Sequence, residues 1–278
     1  MRLKVVHTSA FRYDAPVVAS YNEARMTPVS DAAQRVLSTR IDLTPHTWTT
    51  GFVDYWGTAV TAFEVLAPHE ALVITAEHLV EVGDRHLADD PVGWDVLRSP
   101  RVRDEQAEFL TDLPTTAVPE AVADLARQAA GDLPPHEAAV AACDALRDAV
   151  AYIPGVTTAH TPAAEAWEAR AGVCQDLAHL AVGALHALGI PARYVSGYLH
   201  PQPDADVGET VVGESHAWVE WWVGAWTGYD PTNRVPVGEH HVMLARARSY
   251  DDVPPLRGIY AGTGTSDLTV EVRMTRVA

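Results

Sequence analysis

The sequence predicts an α+β protein in two parts. Three observations carry the prediction: strand alternation fills the first eighty or so residues, helical periodicity follows from about residue 116, and strand patterns return after residue 190. At 278 residues and 47% hydrophobic content the chain is ample for a sizeable core, as one large or two modest domains. "LKVVHTSAFRY", "RVLSTRIDLTP", "TTGFVDYWGTAVTAFEVLAP" and "ALVITAEHLVEV" mix β-branched and aromatic residues in alternation, separated by turn signals at Pro16, Pro45, Gly57 and Pro68. They define an antiparallel β-rich domain over 1–85. The next stretch, "GDRHLADDPVGWDVLRSPRVRDE", is polar and proline-broken, and 86–115 reads as a linker. Over 116–278, helices are expected at "PEAVADLARQAAG" and "PHEAAVAACDALRDAVAY", each opened by proline near its first turn, and a third in "GVCQDLAHLAVGALHALGIPARY". Strands follow at "PARYVSGYL", "SHAWVEWWV" and "AWTGYDP". In "DLTVEVRMTRV", Leu268, Val270, Val272 and Met274 alternate on one face of a strand expected to close the core.

Composition removes several function classes. A formal charge of −17 argues against nucleic acid as a partner, because phosphate binding needs basic patches. No apolar run approaches the roughly 18 residues a membrane span requires, so no membrane partner is expected. The start, "MRLKVVHTSAFRYDAPVV", lacks the apolar core of a signal peptide. Cys143 and Cys174, the two cysteines, cannot make a disulfide framework, so a cytoplasmic location is expected. Lys4 is the single lysine, which genomic base composition explains as well as any function.

Cys174 is the first candidate for chemistry. Leu177, Leu180, Ala181, Ala184, Leu185 and Leu188 recur at helical spacing, and Gly189 followed by Pro191 is a stop signal. Counting back, the helix starts near Cys174, with Asp176 favoured in the first turn by the helix dipole. A cysteine there meets unpaired backbone N–H groups and the positive end of the dipole, which favour thiolate and stabilise an oxyanion. An ordinary buried cysteine is the competing explanation. Cys143, among Ala139, Val140 and Leu146, is read as core.

A cysteine nucleophile needs an imidazole, and the imidazole needs a group to orient it. Among thirteen histidines, His86, His136, His160 and His200 lie in polar stretches and are expected at the surface. His179 and His186 share the cysteine's helix too far along to reach its sulfur. The pair His240 and His241 lacks a companion at ligand spacing, so no metal site is assigned to it. His216 stands early in the tryptophan-rich strand "GESHAWVEWWVGAWTGYDPTN", sharing a face with Trp218, Glu220 and Trp222. Asp230 ends the next strand and is within reach of its imidazole. A two-residue Gly224–Ala225 hairpin would pair Val219 with Asp230 and turn the carboxylate away from His216. A bulge between Trp226 and Asp230, most naturally at Gly228, is therefore expected, and a regular ladder would exclude Asp230.

Together, "GVCQDLAHLAVGALHALGIPARYVSGYL", "SHAWVEWW" and "GYDPTN" resemble the core of the bacterial transglutaminase-like family, part of the papain-like superfamily of cysteine acyl-transfer enzymes. More weakly, "FRYDAPV" and "DYWGTAVTAFEVLAPHEALVITAEHLVEV" resemble the β-rich domain that precedes this core in many members. The loop between Trp222 and Trp226 is shorter than is usual there. The resemblance implies an α+β core with the nucleophile at a helix N-terminus packed on an antiparallel sheet. It further implies Cys174 as nucleophile, His216 as general base and acid, and Asp230 as orienter. The Cys174 backbone would supply one oxyanion donor. Trp167, upstream of the cysteine, is a second candidate donor by analogy with animal transglutaminases, with packing in a short helix the preferred explanation. No metal or organic cofactor is required, and no loop has the EF-hand spacing that would suggest calcium. The expected activity is acyl transfer or hydrolysis on a peptide, protein or carboxamide substrate. A catalytically silent binding or scaffold protein is the alternative, and neither the acceptor nor the oligomeric state follows from the sequence.

Overall fold

A computed structural model describes residues 1–85, 91–202 and 204–278. In the first strand, Arg2–Val17, Leu3, Val5, His7 and Ser9 point inward, the period of two that its alternation predicts. It is flanked by His69–Val82 and Ser266–Arg276, both antiparallel, with Gln34–Thr44 beyond the former and Thr210–Val212 beyond the latter. A second sheet runs Leu256–Ala261, Ala19–Ala24, Ala59–Val65 and Thr49–Val53. Met26, Leu43, Phe63, Leu72 and Ile74 fill the space between these sheets, giving a β-sandwich.

The last strand departs from expectation. It does not close the sheet of the core but lies against the first strand, Val5 opposite Met274. Val272 and Met274 are buried, whereas Leu268 and Val270 are 51% and 48% exposed. Alternation shows that a strand has an apolar face; it carries no information about which sheet will cover that face. Leu256–Ala261 behaves likewise and joins the second N-terminal sheet, on Ala19–Ala24.

In the stretch read as a linker, residues 86–90 lie outside the described residues, and the rest contains two short α-helices, Trp94–Leu97 and Pro100–Glu105, and a 3-10 turn at Ala107–Leu110. Ser99 caps the second by accepting the Val102 N–H, and Leu97 and Val102 are buried.

The core has helices at Glu120–Ala130, Pro135–Ala149, Ala163–Ala169 and Cys174–Leu188. They pack on an antiparallel sheet ordered Val235–Pro236, Trp226–Asp230, Glu214–Trp222, Ala192–Leu199, His241–Ala247. The cysteine helix begins at Cys174 as expected and ends with Gly189 at φ 79°, left-handed. Its burial exceeds the single stripe read from the sequence, because every residue from Asp176 to Leu185 is buried. The small residues Ala178, Ala181, Gly183 and Ala184 let neighbours approach on all sides. Leu3, Val5, Val80 and Val82 of the N-terminal sheet share one apolar cluster with Leu177, Leu180 and Leu185, so the sandwich is fused to the core. Leu180→Ala, at a fully buried site, is expected to cost about 2–5 kcal/mol, read from the midpoint of denaturant unfolding at unchanged slope. Cys143 is buried in the same cluster, and burial pushes its thiol pKa up, as a packing residue requires. Trp218 and Trp221 are fully buried and Trp222 and Trp226 partly so. Among the described residues no helix is long and apolar enough to cross a membrane.

Candidate active site

The site begins with the entry to the cysteine helix. Val173 is the N-cap residue, extended at φ −119°, and its side chain has no acceptor to offer. Asp176, in the first turn, caps in its place: its Oδ2 accepts the Val173 N–H at 2.7 Å and the Thr157 hydroxyl at 2.7 Å. Burial raises the Asp176 pKa against the lowering effect of these donors. Gly172 makes the arrangement possible, since a Cβ there would lie 2.7 Å from the Asp176 side chain. Gly172→Ala is therefore expected to displace the carboxylate, loosen the helix start and slow alkylation of Cys174, about 1 kcal/mol of stability being lost with the cap. Circular dichroism melts and alkylation rates of the variant test this. Gln175, unassigned from sequence, donates Nε2–H to the Ala159 carbonyl at 2.7 Å and ties the preceding loop to the helix.

Cys174 is the first helical residue and is half-buried. At that position its backbone N–H has no intrahelical acceptor. The other histidine of interest on this helix, His179, accepts the Tyr250 N–H at 3.1 Å through Nε2, and burial lowers its pKa to about 4. It serves packing.

His216 is buried in the strand Glu214–Trp222. Its Nε2 lies 2.7 Å from Asp230 Oδ2. Because an ionised carboxylate only accepts, Nε2 carries the donated proton. Nδ1 has no hydrogen-bond partner among the described residues, and Cys174 lies near enough for its side chain to raise the pKa of the ring. Burial alone would lower the His216 pKa; the bonds and charges of Asp230 and Cys174 outweigh it and raise the pKa to about 10.

Asp230 is fully buried. Its Oδ2 also accepts Asn233 Nδ2–H at 2.7 Å and faces His241 Nε2 at 3.3 Å, and its Oδ1 accepts the Thr232 and Asn233 N–H groups at 2.9 and 3.2 Å. Burial opposes the charge, but these donors hold the carboxylate well below the usual range. Gly238 N–H donates to His241 Nδ1 at 3.3 Å, which leaves Nε2 of that ring to donate to Asp230. The donor atoms of His216, Asp230 and His241 lie within 4.8 Å of one another, close enough for a cation, yet here both imidazoles direct protons at the carboxylate.

The expected bulge is not there. Trp222 pairs with Trp226, Trp221 with Thr227, Glu220 with Gly228 and Val219 with Tyr229, a regular ladder. The hairpin loop has three residues rather than two: Val223 N–H bonds the Ala225 carbonyl at 3.0 Å and Gly224 takes φ 98°. Continuing the register sets Asp230 opposite Trp218, on the His216 face, so loop length supplies the parity assigned to the bulge, and the expectation that a regular ladder excludes Asp230 fails because it assumed a two-residue loop. Gly228 lies opposite Glu220 in the ladder, where its missing side chain makes room for Val237.

Trp167 lies in the helix Ala163–Ala169, buried in the core with the Arg170 guanidinium 3.5 Å from its ring centroid. Two further departures concern histidines. His200, expected at the surface, is buried, and His241, left unassigned, supports Asp230. His160 is exposed as expected, and His86 lies outside the described residues. Asn233 escaped the sequence reading although its spacing from Asp230 in "DPTN" is that of a local Asx-type contact. No local signal points to His241, which arrives on a different strand.

The comparisons with known proteins agree with this architecture. Residues 3–81 match the bacterial transglutaminase-like N-terminal region, and residues 123–231 match the transglutaminase-like superfamily. An uncharacterized protein of Mycobacterium leprae is 44% identical over 277 residues, covering 100% of this chain and 99% of its own. One of Mycobacterium tuberculosis is 33% identical over 299 residues, covering 98% and 91%. A crystal structure from Cytophaga hutchinsonii, of a protein proposed to be a cysteine protease, superposes with a TM-score of 0.77 at 22% identity, covering 98% of this chain and 90% of that one. With both halves matched in order, and near-full-length relatives alongside, the chain belongs to the bacterial transglutaminase-like family.

Proposed function

We propose that the protein catalyses cysteine-dependent acyl transfer or hydrolysis on peptide or carboxamide substrates. The observation that carries the reading is the His216 imidazole bonded through Nε2 to a buried, multiply bonded Asp230, with Nδ1 free among the described residues and Cys174 near it at a helix start. His216 takes the Cys174 thiol proton, and the helix-start N–H groups favour the thiolate that results. The thiolate bonds to the carbonyl carbon, and the C=O electron pair moves to oxygen, stabilised by the Cys174 backbone N–H. Collapse breaks the C–N bond, and the leaving nitrogen takes the proton from His216. Water or an amine then adds to the thioester, giving its proton back to His216, and the second collapse releases Cys174 as thiolate. Trp167, packed beneath Arg170, is assigned to the fold rather than to the oxyanion.

Turnover of a peptide library read by mass spectrometry tests the reading. Loss of ammonia, a cut chain or a new isopeptide bond supports it and names the acceptor. A library left intact, with Cys174 unlabelled by amide electrophiles between mildly acidic and mildly basic pH, refutes it in favour of a binding protein.

A further inference from the structure

A crevice of about 550 Å³ opens beside the site, between the β-sandwich and the start of the cysteine helix. Phe11 and Tyr13 of the first strand, Ile259 and Tyr260, and Leu268 and Val270 of the last strand form its apolar walls. Ile259 is 72% exposed, and with the half-exposed Leu268 and Val270 it leaves an apolar surface that nothing in the fold covers. Two wall residues fix where the crevice leads. Gln175 follows Cys174 and Ser215 precedes His216 in the chain, so the crevice reaches the sequence neighbours of both residues, although neither Cys174 nor His216 itself lines it.

We propose that this crevice is the substrate subsite for an uncharged apolar or aromatic side chain flanking the attacked carbonyl. The proposal rests on the reading of Cys174 as nucleophile and adds the substrate class. Among the described residues no Asp, Glu, Lys or Arg lines the crevice, in a chain that otherwise carries a formal charge of −17. A charged substrate side chain would lose hydration there without gaining a partner. His7, the one histidine in the wall, is buried between the Tyr198 hydroxyl at 2.9 Å and the Ser9 hydroxyl at 3.1 Å, and burial lowers its pKa to about 4. It is neutral at ordinary pH. Asn22, Ser215 and Ser266 are among the uncharged polar groups of the wall able to bond a substrate backbone, beside its tyrosines. The unexpected placement of the last two long strands thus has a chemical consequence: they build half of the wall from residues that a strand of the core sheet would have buried.

Alkylation of Cys174 by peptidyl chloromethyl ketones tests the subsite, with iodoacetamide, too small to need it, reporting thiol reactivity alone. Ketones bearing Phe or Leu next to the reactive carbon are expected to label the wild type about 10–100-fold faster than Asp or Lys counterparts, relative to iodoacetamide. Leu268→Asp is expected to erase most of that ratio. Ile259→Asp, at a more exposed position, does the same and serves if the first variant fails to fold. Val212→Asp, exposed on a neighbouring strand outside the crevice, keeps the ratio. Equal rates for all ketones, or a preference untouched by both wall variants, overturn the subsite while leaving the nucleophile in place. Failure of iodoacetamide and every ketone to label Cys174 overturns the nucleophile itself and the subsite with it.

Discussion

Replacing Cys174 with alanine is expected to lower kcat by about 10⁶-fold on any substrate the wild type turns over, with the fold unchanged. The size follows from the chemistry: without sulfur no thioester forms, and His216 and Asp230 are left with no nucleophile to activate. The residual rate comes from substrate positioning and the helix-start N–H alone. Single-turnover kinetics with a trapped acyl-enzyme in the wild type, and none in Cys174→Ala, check it. Because Cys174 is only half-buried at the edge of the core and alanine keeps its Cβ and favours the helix, the melting temperature is expected to move little. A large loss of stability together with retained turnover would place the chemistry elsewhere.

The second large effect belongs to Asp230. Asp230→Asn is expected to lower kcat/KM by about 10³–10⁴-fold, because the amide cannot hold the imidazolium or fix its tautomer. It is also expected to move the basic limb of the pH profile. In the wild type that limb reports loss of the His216 proton near pH 10, the raised value. Without the carboxylate, burial dominates, the His216 pKa falls, and the limb shifts to lower pH. A merely structural Asp230 would lower the rate without moving it.

Stability follows the same groups with defined signs. His216, raised from 6.5, contributes fully below pH 6.5 and loses its contribution as pH rises through about 10. Asp230, depressed, contributes above its ordinary value of 3.8 and loses it as pH falls toward the folded value. The pair is thus strongest between about pH 4 and 6.5, and wild-type melting temperatures there should exceed those of Asp230→Asn by their widest margin.

Gly172–Val173–Cys174 followed by the apolar repeat ending at Gly189 and Pro191 was legible as a helix with cysteine at its start, because capping, periodicity and termination are local. The order Cys174, His216, Asp230 and the tryptophan-rich strand were legible for the same reason: each lies within a segment whose pattern a short window contains. The hairpin parity was not. One loop residue decides whether Asp230 faces His216, and whether Gly224–Ala225 or Val223–Gly224–Ala225 makes the turn depends on the energy of the whole ladder.

By itself, then, the sequence determined the two-part α+β plan, the helix that presents the thiol and the three side chains, Cys174, His216 and Asp230, proposed to carry the chemistry. Tertiary structure alone decided that the final strands return to the N-terminal sandwich, that His241 arrives at Asp230, and that an uncharged crevice opens near the start of the cysteine helix. The physical reason is that strand partners are chosen by the burial of whole faces against one another. Alternation records that a face is apolar, while the partner that covers it is set by distant residues competing for the same surface.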